Sequence, residues 1–310
     1  MSVLKSVRSG VAVGVPHLVM VYGPDGVGKT TFAANAPSPL FLDVEGGTKR
    51  LPVSRVDASS YELVAQALRE LATEEHQYKS VVVDSLDWLE PLLWRHVCDA
   101  QQPKWSSIEA PGYGKGYVAA KEEWKRFRDL LLAVHRRGLH VILIAHSEVK
   151  TFNDPITNAA YDRYQVKLHD KSASLLREFV ENVLFMQFEV VTKESKGEKT
   201  KAYGEGQRYL YTERRPAFDA KNRLGLPFAI ALPQDGPGWK EFLRYADAPT
   251  PAPVSEESIA TMMKEIAELT AKLTDPGLVK TVMETTQGAG SDPAKLTVIL
   301  ERLRIRARNQ

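Results

Sequence analysis

Between Leu18 and Thr31 the chain reads LVMVYGPDGVGKTT. Gly23, Gly28, Lys29 and Thr30 complete the pattern GxxxxGK[ST], with an apolar β-branched run before it and a helix-forming segment after it. Glycines let the backbone turn tightly enough for successive N–H groups to face one anion, and a helix opening at Gly28 adds the positive end of its dipole. The loop formed by Gly23, Pro24, Asp25, Gly26, Val27, Gly28, Lys29, Thr30 and Thr31 is therefore a phosphate cradle. Lys29 is predicted to reach the β- and γ-phosphates, and the Thr30 hydroxyl to ligate Mg²⁺. The expected ligand is ATP with Mg²⁺.

A chain committed to that loop must bury a sheet to hold it, and this one has the material. Its 310 residues are 43% hydrophobic, enough for one full α/β domain and a small appendage. The formal net charge of +2 is near neutral, so any nucleic-acid surface has to come from local clustering. The lone Cys98 excludes an internal disulfide framework and a cysteine-based zinc site, which predicts a reducing, cytoplasmic setting. The seven histidines lack metal-ligand spacing. Lys5 and Arg8 precede an apolar stretch, but Gly14 and Pro16 break it and it runs straight into the phosphate loop, unlike a signal peptide. No apolar run has the length to span a bilayer, so no membrane partner is expected.

Residues 1–17 read as short and irregular, with one edge strand at most. After the loop, Thr30 to Ala36 reads as a short helix stopped by Pro37 and Pro39, and Leu40 to Val44 as a second strand. Ser59 or Ser60 caps a helix whose Leu63, Val64, Ala67, Leu68 and Leu71 recur at helical spacing. SVVVD, Ser80 to Asp84, is a third buried strand with a helix after it. Ala100 to Gly116 dissolves into a loop rich in Gly and Pro, before Trp124, Phe127, Leu131 and Val134 mark a helix ending at Gly138. Leu139 to Ala145 is a fourth strand, and Glu148 to Asp170 reads again as loop. A helix near Lys171 to Phe179 leads into a fifth strand, Asn182 to Val190, and a hairpin closed by the polar turn SKGEK. Arg208 to Arg215 and Leu226 to Leu232 supply further strands. The predicted fold is α/β, a mostly parallel sheet with helices on both faces and a β-hairpin extension. The predicted organisation is a core over 1–235, a proline-rich linker over 236–254 and a small helical C-terminal region over 255–310.

Val83 and Asp84 end the third strand, where an acid holds the Mg²⁺ shell beside Thr30. The next residue is Ser85 rather than a glutamate, so the water-activating base has to come from elsewhere. Glu45, after the second strand in FLDVEGG, is the best candidate.

FLDVE before a glycine turn, VVVDS, and an apolar fourth strand ending in ILIAHS together resemble the RecA-like recombinase core, a P-loop NTPase. With YDRYQVKLHDK and AKNRLGLP added, the chain is similar to short phage-encoded RecA-core ATPases described as phage nucleotide-binding or single-strand annealing proteins. The resemblance covers roughly residues 15 to 232 and leaves the tail outside. It implies that Glu45 polarises the attacking water. It implies that His146 stands where the recombinases carry a γ-phosphate-sensing glutamine, either as the sensor or as a strand-end histidine without that role. The loops at 100–116 and 150–170 correspond to the segments that hold single-stranded DNA in that core. Lys104, Trp105, Tyr113, Lys115 and Tyr117 in the first, and Lys150, Phe152, Tyr161, Arg163, Tyr164 and Lys167 in the second, supply cations and rings for it, unless the rings pack the loops down.

Arg214, Arg215, Lys221 and Arg223 form a basic cluster in which Lys221 or Arg223 is either a cation acting in trans on a neighbouring subunit's γ-phosphate or part of a solvated turn. The resemblance further implies a homo-oligomer, a single-strand DNA-binding protein as partner, and the cytoplasm of a bacterial host. The reading that follows is a DNA-stimulated ATPase that binds single-stranded DNA and promotes annealing or strand exchange. Its rivals are a P-loop nucleoside kinase, which would pass the γ-phosphate to a nucleoside, and a non-catalytic module assembled by ATP. The terminal ERLRIRARNQ reads as a phosphate-contacting extension, a docking helix or a solvated helix end.

Overall fold

The computed structural model describes residues 14–154, 160–189, 191–193, 201–203, 206–234, 236–248, 256–273 and 276–308. The SKGEK turn and residues 1–13, where an edge strand was conceivable, lie outside them.

Strand β1 (Leu18–Gly23) is buried along its whole length because both its faces are covered. Leu18, Met20 and Tyr22 pack on one side of the sheet, and Val19 and Val21 on the other. This two-sided burial is why LVMVY is a continuous apolar run without alternation. The first side is covered by α2 (Tyr61–Thr73), α3 (Leu86–Asp99), α4 (Lys115–Arg136) and α5 (Asp170–Phe179). The second is covered by α1 (Lys29–Ala34) and α6 (Gly238–Ala246). Ser60 caps α2, its hydroxyl accepting from the Leu63 N–H at 3.3 Å.

The other strands are β2 (Pro39–Asp43), β3 (Ser54–Asp57), β4 (Ser80–Asp84), β5 (His140–Asn153), β6 (Ala160–Val166), β7 (Asn182–Phe188), β8 (Val191–Lys193), β9 (Lys201–Tyr203), β10 (Arg208–Tyr211) and β11 (Ala229–Leu232). The main sheet runs β11-β10-β7-β1-β5-β4-β2-β3. It is parallel from β7 to β3, and β10 and β11 extend it antiparallel. β5 lies between β1 and β4. The phosphate loop and Asp84 therefore leave strands separated by the one that carries His146.

Two expectations are corrected, and one strand was not foreseen. Glu148 to Asp170 is not loop: β5 continues to Asn153 and pairs antiparallel with β6, from Ser147 opposite Val166 to Asn153 opposite Ala160. This arm leaves the two-sided core, so its residues are mixed in polarity and carry no apolar period to read. β3, SRVD, escaped notice for the same reason, being a mostly exposed edge. Residues 238–246, assigned to the linker, form α6, with Trp239 and Phe242 fully buried against Phe32. Pro237 sits at the helix start, where proline is tolerated, and is no sign of an extended linker.

The chain divides into two compact units, 1–248 and 249–310. In the second, α7 (Glu256–Ala271), α8 (Pro276–Ala289) and α9 (Pro293–Arg308) enclose Ile266, Leu296, Ile299, Leu300 and Leu303. Arg304 is not a free cation there, since its Nε and Nη2 donate to Glu265 at 2.7 and 2.8 Å. Among the described residues no helix is long and apolar enough to cross a membrane.

Candidate nucleotide site

The sheet register sets Gly23 beside His146 and Asp43 beside Asp84, so the ends of β1, β2 and β4 meet the middle of β5. The loops leaving them surround a cleft of about 550 Å³, lined by the phosphate loop with Glu45, Asp84, Asp87, Trp88, His146 and Lys167. Gly26 and Gly28 take φ of 72° and 97°, a region that residues with side chains adopt rarely. At Gly28 a Cβ would also collide with Nη1 of Arg208, whose guanidinium rests against the loop. Lys29 is 5% exposed and folds over the loop, its ammonium donating to the carbonyls of Gly23 (3.0 Å) and Pro24 (2.8 Å). Burial lowers its pKa, against the nearby carboxylates of Asp25, Asp84, Asp87 and Glu45.

Thr30 Oγ1 donates to Asp84 Oδ2 at 2.9 Å. Burial pushes the Asp84 carboxyl up to about 6, with Glu45 and Asp43 adding to the effect and the Thr30 hydrogen bond opposing it. A buried carboxylate crowded by two others is a place for a cation, and a hydroxyl beside a carboxylate offers the hard oxygen donors that suit Mg²⁺. Among the described residues no group of three or more His, Cys, Asp or Glu could hold a metal alone, so phosphate and water oxygens have to complete the shell. The residues thus fit Mg²⁺ and a triphosphate: Lys29 and the loop amides would hold phosphate, and Thr30 and Asp84 the metal. When bound, the metal offsets charge on the phosphate oxygens.

Glu45 is held by a turn built on Asp43. The Asp43 carboxylate accepts from the N–H groups of Gly46 (2.7 Å), Gly47 (3.2 Å) and Thr48 (3.1 Å) and from the Thr48 hydroxyl. The Glu45 N–H donates to the Asp84 carbonyl at 3.2 Å, and the Ser85 hydroxyl donates to Glu45 Oε2 at 3.3 Å. Ser85, where a glutamate was absent, thus orients the glutamate of the neighbouring loop.

His146 is fixed by Asp87, which accepts from its backbone N–H (3.0 Å) and from Nδ1 (2.9 Å). Its Nε2 lies 3.3 Å from Asp25 and 4.0 Å from Glu45. The Asp87 hydrogen bond raises the His146 pKa; burial pushes the Asp87 carboxyl up, but His146 brings it below its usual range. The two shifts agree in describing a charged pair. A histidine whose folded pKa exceeds its unfolded value adds stability that is complete below about 6.5 and is lost as pH rises through the folded value. His146→Ala is therefore expected to destabilise the protein more at pH 5.5 than at pH 8.5 in urea titrations. An equal loss at both pH values would refute the ion pair.

Asp43 and Asp87 were missed as site residues. Each is one polar side chain with no period, and the only signal was an acid three residues after Asp84 in DSLD, in the first turn of α3.

The residues assigned to DNA part company. Arg163 is 4% exposed and bound to Asp219 at 3.0 Å and to the Phe218 carbonyl at 3.2 Å, so it is a core ion-pair residue and not a surface cation. Tyr164 packs on Phe185 with ring centroids 5.2 Å apart, also inward. Trp105 is half-buried on the core and ties its loop down, and Tyr117 stacks on His169 at 4.3 Å. Lys104 pairs with Asp99 at 3.1 Å. Lys167 lines the phosphate cleft. Tyr113 is fully exposed between Gly112 and Gly114, two residues before Lys115 opens α4. On the β5–β6 arm, Phe152 and Tyr161 face each other at 5.6 Å, and Lys150 pairs with Glu148 (3.0 Å) and Asp170 (3.1 Å).

Of the two trans cations, Lys221 is corrected. Its ammonium donates to the carbonyls of Arg177 (2.8 Å), Glu178 (3.1 Å) and Val180 (2.5 Å), closing the end of α5. Arg223 is exposed.

A mostly parallel sheet with this loop at the end of a central strand, and the Thr30–Asp84 pair beside it, defines a P-loop NTPase. A family model described as an AAA domain matches residues 16–224, more than half of the chain, and the protein belongs to that family of nucleotide-binding ATPases. No curated protein matches the sequence.

Proposed function

We propose that this ATPase is a DNA-stimulated enzyme of the RecA-like type, encoded by a phage, that binds single-stranded DNA and promotes annealing or strand exchange. One observation carries the reading: β5 holds His146 in the phosphate cleft and runs on without a break into the arm bearing Lys150, Phe152 and Tyr161. A change in what His146 touches is thereby transmitted along one strand to the arm. Glu45 orients the attacking water, Asp84 and Thr30 hold Mg²⁺, and His146 senses the γ-phosphate. DNA lies across the arm and Tyr113, whose exposed ring is free to stack on a base, and Arg223 supplies the cation acting on a neighbouring copy. Oligomerisation, a single-strand DNA-binding partner and a cytoplasmic setting in the bacterial host belong to the same reading.

The test is ATP hydrolysis with and without single-stranded oligonucleotide, in wild type and Tyr113→Ala. Hydrolysis is expected to rise with DNA, and the variant to need about 5- to 150-fold more DNA for the same stimulation, the loss of one stacked base at about 1–3 kcal/mol. Hydrolysis indifferent to DNA at every concentration would overturn the proposal.

A further inference from the structure

A second cleft, of about 720 Å³, lies between α4 and α5. Its α4 wall carries Lys121, Lys125 and Arg128, successive turns of one helical stripe, and its α5 wall carries Lys171. Against these four cations stand Asp170 and Glu178. Asp170 is already engaged by Lys150 of the β5–β6 arm at 3.1 Å, which ties the arm to the rim of the groove. Lys125 pairs with Glu122 and Arg128 with Asp129, each at 2.7 Å, while Lys121 and Lys171 have no ion-pair partner among the described residues. The Tyr117–His169 stack lies one turn before Lys121, and Tyr113 stands just ahead of the same helix.

We propose that this groove is a binding site for the sugar–phosphate backbone of single-stranded DNA, which passes from Tyr113 along α4 between Lys121 and Lys171. The inference rests on the DNA reading above and extends its path beyond Tyr113 along α4. A free phosphate engages one or two cations at a point. Here the stripe from Lys121 to Arg128 spans about 10 Å at 1.5 Å per residue, matching a ligand whose charge repeats along a line. The cations stand along the walls while Leu175 and Phe179 give the α5 wall an apolar part, and Tyr113 and the Tyr117–His169 stack lie beyond the Lys121 end, where bases of a strand held by its phosphates could stack.

The experiment is anisotropy of labelled (dT)30 with the full chain and a non-hydrolysable ATP analogue, across a salt series. Lys121→Ala/Lys171→Ala is expected to weaken binding about tenfold near 0.15 M salt. The slope of log K against log salt should fall by about 1.4, two phosphate contacts at about 0.7 each. The melting temperature and the hydrolysis rate without DNA stay unchanged, and Lys121→Arg/Lys171→Arg binds as wild type. If wild type binds and the double alanine variant matches its affinity and slope, the groove serves another ligand and the inference falls while DNA binding stands. If wild type fails to bind (dT)30, the DNA reading falls and the groove with it.

Discussion

Glu45→Gln is expected to lower ATP hydrolysis by about 10²- to 10⁴-fold, the range that a positioned general base supplies, with nucleotide affinity unchanged. That is about 2.7–5.5 kcal/mol of barrier at 1.36 kcal/mol per tenfold. Glutamine keeps the length of the side chain and an oxygen able to accept from the Ser85 hydroxyl, so the Asp43-built turn holds its shape. What disappears is the charge and the capacity to take a proton. Binding is expected to survive because the phosphates are left to Lys29 and the loop, and the metal to Thr30 and Asp84. Loss of the Glu45 charge also removes one repulsion that raises the Asp84 pKa, which leaves Asp84 more fully ionised for its role beside Thr30. Phosphate release and equilibrium binding of a fluorescent nucleotide, measured on the same preparations, separate the two effects. Full hydrolysis in the variant would take the base role from Glu45.

The phosphate loop was legible because its requirement is local: glycine at positive φ and a lysine next to it are written in consecutive residues. The buried strands were legible because the runs LVMVY, VVV and VILIA within them are covered on both faces and are apolar without a break. Where a strand left that cover, as β5 does after His146, the signal vanished though the hydrogen bonding continued. Charge was the least legible property. Arg163 and Lys221 read as surface cations because nothing local reveals a partner: the Asp219 that binds Arg163 is 56 residues away, and the carbonyls that hold Lys221 are 41 to 44 residues away. Of the site's two supporting acids, Asp87 was hidden in the same way, its histidine lying 59 residues on, whereas the partners of Asp43 are three to five residues away. Their work is to hold a turn and a histidine, and neither leaves a spacing to count.

The difference between a core cation and a contact cation has a measurable consequence. Asp219→Ala is expected to cost about 3–5 kcal/mol, because Arg163 is then left buried without a carboxylate. At roughly 2–4 °C per kcal/mol this lowers the melting temperature by about 6–20 °C. Arg163→Ala should cost less, because Asp219 keeps its ion pair with the more exposed Arg177. Both variants loosen the root of the arm. Arg163 sits on β6, Asp219 lies in the segment that exchanges hydrogen bonds with the Tyr22 hydroxyl, and Tyr22 is one residue before the phosphate loop. Stability, nucleotide affinity and DNA affinity are therefore expected to fall together in Asp219→Ala, whereas Tyr113→Ala loses DNA affinity alone. Thermal melting followed by circular dichroism, alongside DNA anisotropy, distinguishes the two patterns. If Arg163→Ala melted like wild type and still lost DNA, the arginine would belong to the interface, and the ion pair with Asp219 would not be what holds it.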